Sequence, residues 1–259
     1  MDEPVNPSLF RLDAKTALVT GAAAGLGAGI AVALARQGAD VALAVRPGGT
    51  PPDETLQRAQ AFGRRVLAVE MDVRHLASVQ AGAQAVLEAL GAVDILVNNA
   101  GINRPAFALE VTEANWDDQF NTNVKGGFFL AQQLAPGMIK RGWGRVIWIS
   151  SQAGVVGIPG QPVYCATKGA VNQLVHTLAV EWAQHGITVN AVCPTFVETA
   201  LTRERLRRPE FREFVLRKIP AGKLAQVEDV ASAVVYLASE EAGMVNGHTL
   251  MVDGGWTVW

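Results

Sequence analysis

K-T-A-L-V-T at residues 15 to 20 runs straight into G-A-A-A-G-L-G at 21 to 27, and I-A-V-A-L-A-R-Q-G follows at 30 to 38. The first segment is apolar and reads as a strand. The last is Ala-rich with helical character, and Gly38 stops it at the usual C-cap position. Strand, glycine turn, helix is the opening unit of a parallel α/β sheet. The glycines allow a tight turn and let an anion approach the helix N-terminus, where free N–H groups and the dipole favour phosphate. They can equally serve packing alone, and G-x-x-x-G-x-G is not the dinucleotide spacing G-x-G-x-x-G. Nucleotide binding needs support from elsewhere in the chain.

Working outward, the same alternation continues. D-V-A-L-A-V at 40 to 45 is a second strand, a helix is expected near 53 to 63, and V-L-A-V-E-M leads to Asp72-Val73. A helix at about 75 to 90 precedes V-D-I-L-V and Asn98-Asn99-Ala100-Gly101. Two helices at roughly 112 to 121 and 124 to 141 flank Asn123, whose low helix propensity marks a cap, a kink or a functional amide. The strand R-V-I-W-I-S, a long helix to about Gln184, the strand I-T-V-N-A-V-C at 187 to 193 and a last strand in H-T-L-M-V-D-G-G-W complete the series. The expected fold is one doubly wound α/β domain over residues 1 to 259: a seven-stranded parallel sheet with helices on both faces. Residues 1 to 14 read as an arm.

Strand ends are where ligands bind in such sheets. The second strand ends at Val45-Arg46. With no carboxylate to repel a 2′-phosphate and one guanidinium to receive it, the cofactor reading is NAD(P) with a lean to NADP. Asp72 suits a helix cap or a ligand contact. The small and amide residues at 98 to 101 suit a planar ligand or an ordinary turn.

At the fifth strand end stands Ser151, followed by Q-A-G-V-V-G-I-P-G-Q-P-V-Y-C-A-T-K to Lys168. Tyr164 and Lys168 are four residues apart at a helix start and face the same way. An ammonium about 4 Å from a phenol at an effective dielectric of about 20 favours phenolate by roughly 4 kcal/mol. That brings a phenol from about 10 toward about 7 before desolvation is counted, which suits an acid/base near neutrality.

Past Pro194 the character changes. Arg203, Arg205, Arg207, Arg208, Arg212, Arg217 and Lys218 outnumber Glu204, Glu210 and Glu213. This stretch is either a solvated helical face or a mobile lid, at about 195 to 219, that attracts an anionic substrate. Over all 259 residues the net charge is −2, giving no general attraction to nucleic acid or an anionic membrane. Two cysteines without metal-ligand spacing argue against disulfides and a metal site. The N-terminal residues lack a basic segment followed by an apolar one, and the chain has no run of 18 apolar residues, so a cytoplasmic, non-membrane protein is expected.

Taken in order, T-G-x-x-x-G-x-G at 20, D-V at 72, N-N-A-G at 98, Asn123, Ser151, Y-x-x-x-K at 164 and V-D-G-G at 252 resemble the short-chain dehydrogenase/reductase family from about residue 12 onward. The resemblance implies a Rossmann-type fold. It implies Tyr164 as general acid/base, Lys168 lowering its pKa and binding the nicotinamide ribose, Ser151 holding the substrate oxygen and Asn123 positioning a water. It also implies that Gly21, Gly25, Leu26 and Gly27 surround the pyrophosphate. Arg46 would meet the adenosine ribose or its phosphate, Asp72 and Val73 the adenine, and Asn99, with Ala100 and Gly101, the adjacent ribose. Pro194, Val197 and Thr199 would meet the nicotinamide amide. One departure is Thr195, where the family has Gly, which demands a backbone acceptable to a β-branched residue.

The small-molecule substrate implied is a sugar or sugar acid such as gluconate, with a 3-oxoacyl thioester as the alternative. Arg104, Gln152 and Gln161 are its candidate contacts. A homotetramer is also implied. A non-catalytic dinucleotide-binding regulator on the same fold would need the glycine turn but not Asn123, Ser151, Tyr164 and Lys168 together.

Overall fold

The computed structural model describes residues 9–199 and 202–259. Residues 1–8 of the expected arm, and 200–201 of the expected lid, lie outside them. Among the described residues the first half alternates β1 (Thr16–Thr20), α1 (Gly25–Arg36), β2 (Asp40–Val45), α2 (Asp53–Gln60), β3 (Val66–Glu70), α3 (Leu76–Leu90) and β4 (Ile95–Asn98). The second half continues with α4 (Glu113–Phe120), α5 (Gly126–Arg141), β5 (Gly144–Ile149), α6 (Pro162–Trp182) and β6 (Ile187–Pro194). After α7 (Arg203–Leu206), α8 (Pro209–Lys218) and α9 (Val227–Ala238), β7 (Thr249–Val252) closes the sheet.

The sheet is parallel throughout, in the order β3-β2-β1-β4-β5-β6-β7. Its order reverses between β1 and β4, so a crevice opens at the carboxyl ends of those two strands. This is the doubly wound, Rossmann-type arrangement expected from the alternation.

Strand side chains alternate between two buried layers. Ala17, Val19, Val41, Leu43, Ile95 and Val97 face α1 and α9 through Ile30, Leu34, Val230 and Val234. Leu18, Ala42, Leu96, Val146 and Trp148 face α3, α5 and α6 through Val86, Leu130 and Val175. Both faces of the central strands are fully buried, which is why those strands read as continuous apolar runs. Each such Leu or Ile contributes about 1.5–3 kcal/mol by leaving water.

Two local features depart from this regular alternation. Between α4 and α5, residues Asn121–Lys125 form one π-helical turn, so the expected pair of helices is a single column with a bulge at Asn123. Beyond β6, α7 and α8 pack Leu206, Val215 and Ile219 against Trp256, forming a third, smaller apolar cluster. Asp253 anchors that tail by accepting hydrogen bonds from the backbone N–H groups of Gly255 (3.0 Å) and Thr257 (2.9 Å).

Candidate active site

The glycine turn comes first because its geometry decides what the crevice can hold. Gly21 and Gly25 have φ of +64° and +60°, conformations that a side chain disfavours. A Cβ on Gly27 would stand 2.3 Å from the Gly21 carbonyl oxygen and 2.5 Å from Asn99 Nδ2, so this position must be glycine for α1 to seat. Gly27 thus serves packing, and Gly21 and Gly25 shape the turn. At α1 itself, Ala24 gives no side-chain cap and the first turn carries no acid. Its N–H groups are therefore directed at the crevice without a side-chain acceptor, which suits an anionic phosphate.

Around this turn lies a cleft of about 280 Å³, lined by Gly21, Gly25, Leu26 and Gly27 on one side and Asn99, Ala100 and Gly101 on another. Pro194, Val197 and Thr199 close it, and Tyr164 and Lys168 reach it from α6. Asn99 donates through Nδ2 to the Thr20 (2.9 Å) and Gly21 (3.2 Å) carbonyls. Thr20, which opens the T-G-x-x-x-G-x-G motif, accepts at Oγ1 from the N–H groups of Asn99 (3.0 Å) and Ala100 (2.9 Å). The ends of β1 and β4 are thereby stitched into one rigid floor.

Thr195 adopts ordinary backbone: among the described non-glycine residues only Phe10 and Ala14 have positive φ. Its N–H bonds the Val252 carbonyl at 3.1 Å, so the sheet continues past Pro194. Val197 bridges Ala225, and its carbonyl accepts from Thr202 Oγ1, which also accepts from the Thr199 N–H at 3.0 Å. The loop thus keeps Val197 and Thr199 at the cleft despite the β-branched residue.

Three expected cofactor residues lie outside the lining of this cleft. Arg46 is exposed just beyond β2. Val73 is buried. Asp72 does not cap α3, whose N-cap is His75. Instead its carboxylate is gripped by Arg74 through Nε (2.9 Å), Nη2 (2.6 Å) and the backbone N–H (3.0 Å). The Arg74 side chain, more than any other group, holds that carboxyl down at about 2.

On the other side of Tyr164 opens a larger cavity of about 470 Å³. Ser151, Tyr164, Thr195 and Thr202 line both spaces. Ser151 Oγ donates to Gln152 Oε1 (2.8 Å) and accepts from the Ala153 N–H (3.1 Å). Lys168, buried one turn beyond Tyr164, places Nζ 5.6 Å from the phenol ring centroid and donates to the Ile149 carbonyl at 2.8 Å. Asn123 binds the Ile102 backbone with both ends of its amide (2.8 and 2.9 Å) and donates to Thr167 Oγ1 at 3.0 Å. The π turn therefore clamps the loop after β4 onto α6 beside the Tyr164–Lys168 pair.

The electrostatics differ from the expectation. Tyr164 is pushed up to about 12, chiefly by desolvation, with the Ser151 hydroxyl opposing. Lys168 is pulled down to about 8, again by burial. A phenol near neutrality requires the ammonium to outweigh desolvation, and in the fold desolvation prevails. In the protein alone the phenol is protonated at neutral pH.

The three substrate nominations divide. Gln152 and Gln161 are buried and line the 470 Å³ cavity. Arg104 is a correction: its side chain is 58% exposed and Nη2 pairs with Asp118 Oδ2 at 2.5 Å, outside the lining. Asn103 and Pro105, on either side of it in sequence, do line the cavity. Phe196, Thr202, Arg205 and Arg208 line it as well, and no motif marks them individually. Only the basic character of 203–218 points toward the last two.

Comparison with known proteins bears on this arrangement. Residues 21–257 match the family described as Enoyl-(Acyl carrier protein) reductase. A gluconate 5-dehydrogenase of Gluconobacter oxydans is 40% identical over 257 residues, covering 98% of each chain. The chain belongs to the short-chain dehydrogenase/reductase family. It is accordingly an NAD(P)-dependent oxidoreductase acting on CH–OH groups. A 2-dehydro-3-deoxy-D-gluconate 5-dehydrogenase of Dickeya dadantii is 40% identical over 248 residues, covering 95% of this chain and 97% of that one. The crystal structure of a gluconate 5-dehydrogenase from Burkholderia cenocepacia in complex with NADP and tartrate superposes with TM-score 0.90 at 36% identity. That match covers 96% of this chain and 98% of the other. The Rossmann-type short-chain dehydrogenase/reductase fold read from the motifs is therefore correct across nearly the whole sequence.

Proposed function

We propose that this short-chain dehydrogenase/reductase interconverts a secondary alcohol and a ketone on a sugar acid, with NADP as the partner in hydride transfer. The observation that carries the reading is the position of Ser151 and Tyr164 at the junction of two adjoining spaces, one shaped for a phosphate-bearing cofactor and one lined by Gln152, Gln161, Arg205 and Arg208. The sugar-acid class rests on the gluconate and deoxygluconate dehydrogenases among the relatives. NADP is supported by the exposed Arg46 at the end of β2 and by the NADP-bound relative.

In this reading Ser151 Oγ holds the reacting oxygen and Tyr164 moves its proton. Lys168, on the same face of α6, supplies the positive charge that favours the phenolate and meets the nicotinamide ribose. Asn123 keeps α6 in register with the loop after β4 and orders a water near Lys168. Bound NADP supplies the hydride acceptor and, when oxidised, a positive charge beside the phenol. That charge works against the desolvation that holds Tyr164 high in the protein alone. Gly21, Gly25, Leu26 and Gly27 would surround the pyrophosphate, Asn99, Ala100 and Gly101 would take the ribose, Pro194, Val197 and Thr199 would take the nicotinamide amide, and Asp72 and Val73, outside the lining of the cleft, would meet the adenine. Residues 195–219 act as a lid on a single domain.

We also assign the chain to a cytoplasmic homotetramer. Free thiols at Cys165 and Cys193 support the compartment. Exposed Val180 on α6 and Val258 and Trp259 beyond β7 supply apolar surface for assembly. A second reading, reduction of a 3-oxoacyl thioester, draws on the acyl-carrier-protein description of the matching family. The test is turnover: NADP⁺ with D-gluconate and 2-deoxygluconate against NADPH with acetoacetyl thioester. Sugar-acid oxidation at the higher kcat/KM supports the proposal, and preference for the thioester transfers it to the second reading.

A further inference from the structure

The basic stretch beyond β6 is not uniform. Arg212 pairs with Glu198 at 3.7 Å and Arg217 with Glu213 at 3.9 Å, as a solvated helical face does. Arg205 and Arg208 also belong to this stretch, yet among the described residues neither has a carboxylate within ion-pair distance. Both line the 470 Å³ cavity that Ser151 and Tyr164 share.

Arg205 is also held in place. Its guanidinium lies over the Phe211 ring at 4.4 Å, and Phe211 packs edge-on against Phe196 with centroids 5.6 Å apart. Phe196 lines the same cavity. A guanidinium held over an aromatic face keeps its N–H donors available at its own edge, placed before any ligand arrives. Burial and the neighbouring Arg208 both act against its charge, a cost that an anion between the two would relieve.

The same cavity is also lined by the uncharged polar side chains of Gln161 and Thr195. Gln161 is 2% exposed and accepts from Asn103 Nδ2 at 2.6 Å, while its own Nε2 has no hydrogen-bond partner. Thr195 Oγ1 is buried and likewise unpartnered. Both side chains belong to the lining that Arg205 and Arg208 share, and amide and hydroxyl groups suit the hydroxyls of a ligand. Glu204 also borders the cavity, and as an acceptor it suits a hydroxyl.

We infer that Arg205, with Arg208 beside it, reads the carboxylate of a polyhydroxylated acid, and that Gln161 and Thr195 read its hydroxyls. The acid is thereby oriented with its charged end toward α7 and a carbinol at Ser151 and Tyr164. This rests on the sugar-acid reading above and deepens it. It also reassigns the carboxylate contact from Arg104, which Asp118 engages, to Arg205.

The test is calorimetric titration of the NADPH-bound protein, a non-reacting complex, with D-gluconate and with its uncharged counterpart D-glucitol. Wild type should bind gluconate the tighter. Arg205→Ala should weaken gluconate about 10- to 100-fold, the loss of a charge-assisted bidentate pair, with glucitol and NADPH affinity unchanged. Arg205→Lys should recover part of the loss, since it keeps the charge without the fork. Arg104→Ala should lose less than Arg205→Ala. Unchanged NADPH affinity shows that the Arg205 variants are folded. Gluconate affinity in wild type that is indifferent to Arg205, or that falls mainly with Arg104, overturns the inference and leaves the sugar-acid reading standing. A wild type that neither binds nor oxidises sugar acids sinks both.

Discussion

Replacing Lys168 by Met should make the pH dependence of stability visible as a single group. Lys168 is buried, and desolvation lowers it from 10.5 to about 8. The folded chain therefore releases this proton near pH 8, whereas the unfolded chain keeps it to about 10.5. Between those values the unfolded state binds more protons, so wild-type stability rises with pH across the window. Below pH 8 the native state carries the full cost of a buried ammonium; above about 10.5 none of that cost remains. Summed from pH 7 to pH 10 the gain is about 2–3 kcal/mol, at about 1.4 kcal/mol per pKa unit.

Methionine removes the titration while keeping similar bulk. The level at pH 7 also contains the lost bond from Nζ to the Ile149 carbonyl, so the slope rather than the offset carries the test. Tyr164 titrates from about 10 to about 12 in the opposite sense, losing stability as pH rises, and is present in both proteins. Urea unfolding followed by tryptophan fluorescence at pH 7, 8, 9 and 10, at one protomer concentration, gives the difference. Wild type should gain about 2–3 kcal/mol on Lys168→Met across the series. A difference that stays flat would show that Lys168 is solvated in the folded protein, and the desolvation account of the pair would fall with it.

Other consequences are simpler. Gly27→Ala places a methyl 2.3 Å from the Gly21 carbonyl oxygen; it should cost about 1–3 kcal/mol in urea unfolding and weaken NADPH by displacing the turn, and wild-type behaviour would refute the packing role. Arg46→Ala should weaken NADPH about tenfold and leave NADH unchanged in fluorescence titrations, the signature of a phosphate contact; equal effects on both would place the guanidinium elsewhere.

Much of this was legible in the residues. Strands buried on both faces appear as apolar runs of β-prone residues, so β1, β2, β4, β5 and β6 could be located within one or two positions. The glycine turn, Asn123, Ser151, Tyr164 and Lys168 carry chemistry in residue type and spacing alone. What spacing does not encode is where a long side chain goes. Arg104 adjoins a cavity-lining residue on each side, yet Asp118, on α4, draws its guanidinium away. Nor does a position at a strand end show that Arg74, two residues on, grips the Asp72 carboxylate. Arg205 reads as one of many basic residues until the Phe211 ring under its guanidinium and its place in the cavity lining set it apart. Burial was the other gap, because the pKa of Tyr164 depends on desolvation that only tertiary packing creates.

The central claim is that Tyr164 moves the proton while hydride passes to or from NADP. Tyr164→Phe keeps the ring over which Lys168 Nζ sits and removes only the hydroxyl. Steady-state oxidation of D-gluconate with NADP⁺, paired with NADPH titration of the same preparation, should show kcat reduced by about 10²–10⁴-fold and NADPH affinity within about twofold, since the cofactor cleft is lined mainly by other residues. A Tyr164→Phe protein that turns over at the wild-type rate would contradict the account.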